Sequence, residues 1–192
     1  VPSFSFTPAD DGIYTVRLVE GGAVSKEELK RLLLCPSSPQ ARLVRADPDR
    51  FSVDIPTPAE LKAMSPQKLA VARAWMSPSY AYPLGYLVGQ QYHFIRMRGF
   101  RSPILCDAPS SEAAGMSPNH GGSIIQVLYP DGRVAVLTSA KVNGGHDDMF
   151  SNFEGKVGAG YGRDDVVLGP SDATPNIFFI NAGPRHRHLQ AR

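Results

Sequence analysis

The chain has 192 residues, 42% of them hydrophobic and 20% charged, with a formal net charge of +2. That length can bury a sizeable core in one domain, and no apolar run approaches the roughly 18 residues of a membrane span. So small and scattered a charge excludes the basic face that binding to a phosphate backbone requires.

Arg185, Arg187 and Arg192 lie in the last eight residues and leave the rest of the chain at about −1. Residues 1–183 are therefore expected to form one domain and residues 184–192 a flexible basic tail. The 18 glycines and 17 prolines exceed ordinary usage and predict a loop-rich domain of short elements. The start, Val1-Pro2-Ser3, has no methionine and none of the charged and apolar regions of a signal peptide. It reads as processed or truncated, with room for an anchor upstream.

In chain order, Ile13 to Val19 reads as a strand or extended segment stopped by Gly21-Gly22. Ser25 and Glu28 have the spacing of a capping box, and Leu29, Leu32 and Leu33 share a helical face. A helix is predicted over 25–34, ended by Pro36 and Pro39. Residues 40–56 are punctuated by proline and read as irregular. Thr57-Pro58-Ala59-Glu60 and then Ser65-Pro66 each place a capping side chain before a proline at the first helical position. They predict a paired helical insert over about 57–76.

From Tyr80 the pattern changes to period two, with Val88-Gly89-Gln90 as a turn and Pro103 to Asp107 as a further strand. The plainest element is a hairpin within residues 119–137. Ile124 to Tyr129 is β-branched and aromatic, and Val134, Val136 and Thr138 alternate with smaller neighbours, as in strands with one buried face. Between them Pro130 pre-sets φ, Asp131 can bond back to its own backbone, and Gly132 accepts a positive φ. From Thr138 to Gly169-Pro170 the chain is rich in glycine and aspartate with few apolar anchors. Ile177 to Ile180 reads as a late strand or an apolar interface cluster. The expected fold class is α+β, an antiparallel β-sheet meander with helices on one side.

Several residues could carry chemistry. His120, between Asn119 and Gly121-Gly122, can fasten a loop by hydrogen bonds; as a general base it would need an oriented nucleophile, and no such partner is visible in the sequence. Asp131 and Gly132 are accounted for by their turn. Gly158 to Gly162 lacks the lysine and the context of a phosphate loop, which sets nucleotide binding aside.

Asp147, Asp148, Asp164 and Asp165, with His146, Asn143 and Asn152 nearby, are the oxygen-rich set that Ca²⁺ prefers. Zinc on His120, His146 and an aspartate is an alternative. Cys35 and Cys106 permit one disulfide or stand as two buried thiols, and neither lies in a Cys-x-x-Cys motif. Tyr80, Tyr82, Tyr86, Tyr92 and Phe94 are either half-buried packing or a platform for carbohydrate or peptide.

Taken together, Leu34-Cys35-Pro36-Ser37-Ser38, Ser79 to Leu87, Leu105-Cys106-Asp107, Asn119-His120-Gly121-Gly122, Val127 to Val134 and Gly169-Pro170-Ser171-Asp172 resemble a known family. It is the pseudopilin-like, prepilin-processing-associated family of planctomycete-type bacteria, named for a histidine followed at fixed spacing by Asp-Gly. Some of its relatives carry the domain outside the membrane, behind an anti-sigma-like zinc-binding segment and a membrane helix. Ten residues separate His120 from Asp131 here, one more than the family spacing, which implies a bulge or longer turn. The amino-terminal apolar helix through which a pilin polymerises or anchors is not in this sequence.

The resemblance implies a pilin-like head displayed outside the cytoplasmic membrane, a setting that favours the disulfide, and a loop-bound calcium occurs in some pseudopilins. The function expected from it is non-enzymatic: assembly, secretion or envelope sensing through protein partners or self-association. Two other functions compete with it, a metal-dependent hydrolase using His120, His146, Asp147 and Asp148, and a carbohydrate-binding module.

Overall fold

The computed structural model describes residues 14–89, 91–93, 102–109 and 116–173. Ile177 to Ile180, Phe94 and the arginine-rich tail lie outside them.

Among the described residues five helices come first: α1 (Tyr14–Glu20), α2 (Lys26–Leu32), α3 (Pro39–Ala46), α4 (Pro58–Ala63) and α5 (Pro66–Met76). Side-chain caps on main-chain amides start four of them. Ser25 and Thr57 close full capping boxes with Glu28 and Glu60, and Ser38 and Ser65 accept from the amides of Ala41 and Lys68. In α3, α4 and α5 the residue after the cap is proline, whose missing N–H costs nothing there.

Two expectations are corrected. Residues 14–20 are helical, because Val16 and Val19, three apart, face the same apolar cluster as Leu29 of α2 and its capping residue Leu33. Residues 40–46 are helical too, since Ser38-Pro39 starts a helix by the chemistry that Thr57-Pro58 uses. Val16, Leu29, Leu33, Val53, Ile55, Leu61 and Met76 form the helical core.

The strands follow as β1 (Tyr80–Pro83), β2 (Tyr86–Val88), β3 (Gln91–His93), β4 (Leu105–Asp107), β5 (Ile125–Leu128), β6 (Val134–Leu137), β7 (Lys141–Val142), β8 (Asp147–Asp148), β9 (Gly160–Tyr161) and β10 (Leu168–Gly169). The main sheet runs β10-β1-β4-β5-β6, every neighbouring pair antiparallel. The β2–β3 hairpin takes β9 in parallel beside β2, and β7 pairs with β8. The fold is α+β.

Ile125 and Val127 are fully buried, and pairing with Leu137 and Ala135 fixes which face of β6 turns inward. The outward face carries Val134 and Val136, at 61% and 58% exposure. The hairpin turns as the sequence implies. The Gly132 amide donates to the Tyr129 carbonyl (3.0 Å), Asp131 Oδ1 accepts from the Arg133 amide (3.0 Å), and Gly132 has φ +82°. That left-handed glycine completes the three-residue turn between Tyr129 and Arg133.

A second core on the sheet gathers Ala81, Cys106, Ile125, Val127, Met149, Phe150, Val166 and Leu168. Polar contacts join the two cores. Ser79 Oγ donates to Ser38 Oγ (3.1 Å), and Ser171 Oγ donates to the Arg73 carbonyl (2.6 Å).

Candidate functional site

Three segments far apart in sequence meet at the junction of helices and sheet. Cys35 follows α2 and starts the Cys35-Pro36-Ser37-Ser38 turn, in which the Ser38 amide donates to the Cys35 carbonyl (2.9 Å). Asp107 ends β4. His120 sits in a 3-10 turn, Asn119–Gly122, that leads into β5. Its Nε2 lies 3.6 Å from Cys35 Sγ and 3.6 Å from Asp107 Oδ2.

The local backbone is built to aim that ring. His120 has φ 52° and ψ 32°, making it, among the described residues, the non-glycine one held in the left-handed region, with Gly121 and Gly122 continuing at positive φ. Such a conformation costs an L-residue roughly 1–2 kcal/mol. Hydrogen bonds hold the turn. The Asn119 amide donates to Ser117 Oγ (3.1 Å), and Ser117 Oγ donates to the Ala108 carbonyl (2.6 Å). Asn119 Nδ2 donates to the Ser79 carbonyl (3.0 Å) and to Asp107 Oδ1 (2.9 Å).

Asp107 is 1% exposed, and its other oxygen accepts from the Gln126 amide (2.7 Å). A carboxylate so deeply buried is tolerable only with donors on both oxygens. Cys35 is 3% exposed, whereas a fifth of the His120 side chain reaches solvent. Tyr80 stands close by. Burial, with repulsion from the Cys35 and Asp107 side adding to it, pushes its phenol above the ordinary range and keeps it protonated.

This arrangement is not a nucleophilic relay. In a Cys-His-Asp relay one ring nitrogen meets the nucleophile and the other meets the carboxylate. Here the same nitrogen faces both, and 3.6 Å is too long for an N–H···O hydrogen bond. Three donor atoms instead converge on one point. Among the described residues this is the set of three His, Cys, Asp or Glu ligand atoms that lie within 4.8 Å of one another.

For several residues the structure shows one of the alternatives that the sequence left open. Cys35 and Cys106 are free and buried, with no disulfide between them. Successive residues of a strand point to opposite faces, so Cys106 joins the sheet core while Asp107 turns to Cys35 and His120. Burial drives the Cys106 thiol well above its ordinary range, so it stays protonated.

The acidic set does not converge on a cation either. Asp147 Oδ2 accepts from the Val166 amide (3.0 Å), and Asp148 Oδ1 accepts from the Phe150 amide (3.0 Å). Asp165 Oδ2 accepts from the amides of Phe153 (3.2 Å) and Tyr161 (2.6 Å), while Asp164 and His146 are exposed. These carboxylates pin a glycine-rich loop to itself. Nor do His120, His146, Asp147 and Asp148 form a set of ligand atoms within 4.8 Å of one another among the described residues.

Tyr82 and Tyr92 donate to the carbonyls of Ala173 (3.1 Å) and Leu84 (2.9 Å), and Tyr86 stacks on His93. Tyr80, Tyr82, Tyr86 and Tyr92 are all half-buried, so they do not form an exposed carbohydrate platform. Asp131 and Gly132 serve the hairpin turn.

The sequence singled out His120 as a loop fastener, with no sign that its ring faces Cys35 and Asp107. Cys35 is 85 positions away. The one signal pointing to Asp107 was a charged residue closing the apolar run Ile104-Leu105-Cys106. Comparison with protein-family models, curated proteins and solved structures found no match to this chain.

Proposed function

We propose that the chain is a pseudopilin-like head domain displayed outside the cytoplasmic membrane, acting without catalysis in assembly, secretion or envelope sensing through protein contacts. Its support is that the segments carrying the resemblance fall on structural joints. Tyr129 to Gly132 closes a hairpin, Ser79 to Leu87 crosses two sheets, and Ser171 ties the end of β10 to α5. The observation that carries the non-catalytic part is the acidic loop, whose Asp147, Asp148 and Asp165 bind main-chain amides of the loop itself.

A labelling experiment tests the reading. A membrane-impermeant, amine-reactive crosslinker is applied to spheroplasts making the full-length protein. Exposed Lys62, Lys141 and Lys156 should react while the cytoplasmic membrane is intact and should yield a discrete crosslinked adduct. Labelling that appears only after lysis would overturn the reading.

A further inference from the structure

We propose that Cys35, Asp107 and His120 bind one divalent transition-metal ion of the zinc type, with a fourth position open to water or a small external ligand. The site goes beyond the display role. A zinc position left open is the mark of a catalytic centre, so metal bound there would count against the non-catalytic part of that role and leave the display itself untouched.

The argument begins with distances. Zinc sits about 2.3 Å from a thiolate sulfur and about 2.0–2.2 Å from imidazole nitrogen or carboxylate oxygen. The edge of a tetrahedron is about 1.6 times its centre-to-corner length, so ligand atoms around zinc stand about 3.3–3.8 Å apart. Sγ to Nε2 and Nε2 to Oδ2 are each 3.6 Å, and all three atoms lie within 4.8 Å of one another. The nitrogen–oxygen separation is long for a hydrogen bond, the sulfur–nitrogen one is within reach of a weak hydrogen bond, and both match edges of one coordination sphere.

Donor chemistry selects the ion. A thiolate and an imidazole suit zinc and its borderline-soft neighbours, whereas calcium and magnesium take oxygen alone. The surroundings do what outer groups do around metal ligands. Asn119 Nδ2 and the Gln126 amide orient the Asp107 carboxylate, and the left-handed turn fixes the imidazole. The described residues supply three ligand atoms, and of the three only His120 reaches solvent, so a fourth ligand would come from that side.

The test uses the whole chain freed of metal by chelation, with Zn²⁺ or Co²⁺ alone as the probe. Titration should show one equivalent bound, and the cobalt form should show a thiolate-to-metal charge-transfer band. Cys35→Ser should abolish the band, and His120→Asn should weaken binding by tenfold or more, about the loss seen when a ligand's support is removed. Cys106→Ser should change neither. A band that survives Cys35→Ser, or that vanishes with Cys106→Ser instead, overturns the site. If Cys35→Ser does not fold, the unmodified chain decides, because binding without a thiolate band, or no binding, also overturns it.

Discussion

His120 concentrates the physical tension of the molecule, because a residue with a Cβ occupies a conformation that suits glycine. Two substitutions separate that strain from the loss of the ring. His120→Gly and His120→Ala both remove the imidazole, but only alanine keeps the Cβ that the left-handed backbone crowds. In metal-free protein the glycine variant should be the more stable by about 1 kcal/mol in urea titrations. Equal stabilities would mean that the turn relaxes and stores no strain.

Asp165 carries a second residue-scale prediction. Burial, and then repulsion from Asp147, raises its carboxyl above the ordinary value of 3.8, although the Tyr161 and Phe153 amides partly offset the shift. Asp147 is raised by burial in the same way. A carboxyl with a raised folded value binds its proton more tightly folded than unfolded. Its contribution to stability is therefore full below pH 3.8 and is lost as pH rises through the folded value. Asp165→Asn keeps an acceptor oxygen for both amides and removes the titration. Relative to that variant, the native chain should lose stability as pH climbs from 3.8. Parallel curves of urea midpoint against pH would show that Asp165 titrates alike in both states.

At the scale of elements, the caps were legible where they stood alone and obscure where proline crowded them. The starts of α2, α4 and α5 could be read because Ser25, Thr57 and Ser65 each precede a plain helical stretch. α3 was missed because Pro36 and Pro39 looked like terminators, although Pro39 occupies the position that a helix tolerates best. α1 was missed because Ile13 to Val19 is β-branched and aromatic, a local preference that the tertiary burial of Val16 overrides.

Ser38 shows what such a cap is worth. It is fully buried and also accepts from Ser79 Oγ, whereas the Ser65 cap is exposed and longer, at 3.4 Å. Ser38→Ala should cost about 2 kcal/mol, adding a stranded Ser79 hydroxyl to the lost cap, and Ser65→Ala about 1 kcal/mol or less. Chemical denaturation of both variants checks the order, and equal costs would show that the buried pair adds nothing. Gly160 belongs to the same scale. The sequence offered it only as part of a glycine-rich stretch, yet a Cβ there would run into the carbonyl oxygen of Asp165. Its glycine is required by the close approach of two backbone segments, which no local pattern announces.

For the molecule as a whole, the helical core and the sheet core are separate apolar clusters that meet across a polar seam. The seam consists of Ser38 with Ser79, Ser171 with the Arg73 carbonyl, and Cys35 with His120. The class of fold was legible because hydrophobic period and helix caps are local signals. The seam was not, because its members come from distant segments and each also has an ordinary local explanation.

A metal ion on Cys35, Asp107 and His120 would be the strongest joint between the two cores, since it would tie the end of α2 to β4 and to the entry of β5. Ions that bind only the folded state raise its stability by mass action, and here the gain should appear as coupling between the cores. Trp75, the chain's one tryptophan, is half-buried on α5, packs at a tilt against Phe51 and reports the helical part by its fluorescence. With Zn²⁺ bound, its urea transition should coincide with that of amide-exchange protection in β4 and β5. After chelation, or in Cys35→Ser, the tryptophan transition should move to lower urea and separate from the sheet. If the two transitions stay together with and without metal, the seam's hydrogen bonds already make the molecule one cooperative unit, and the ion's contribution is local to its three ligands.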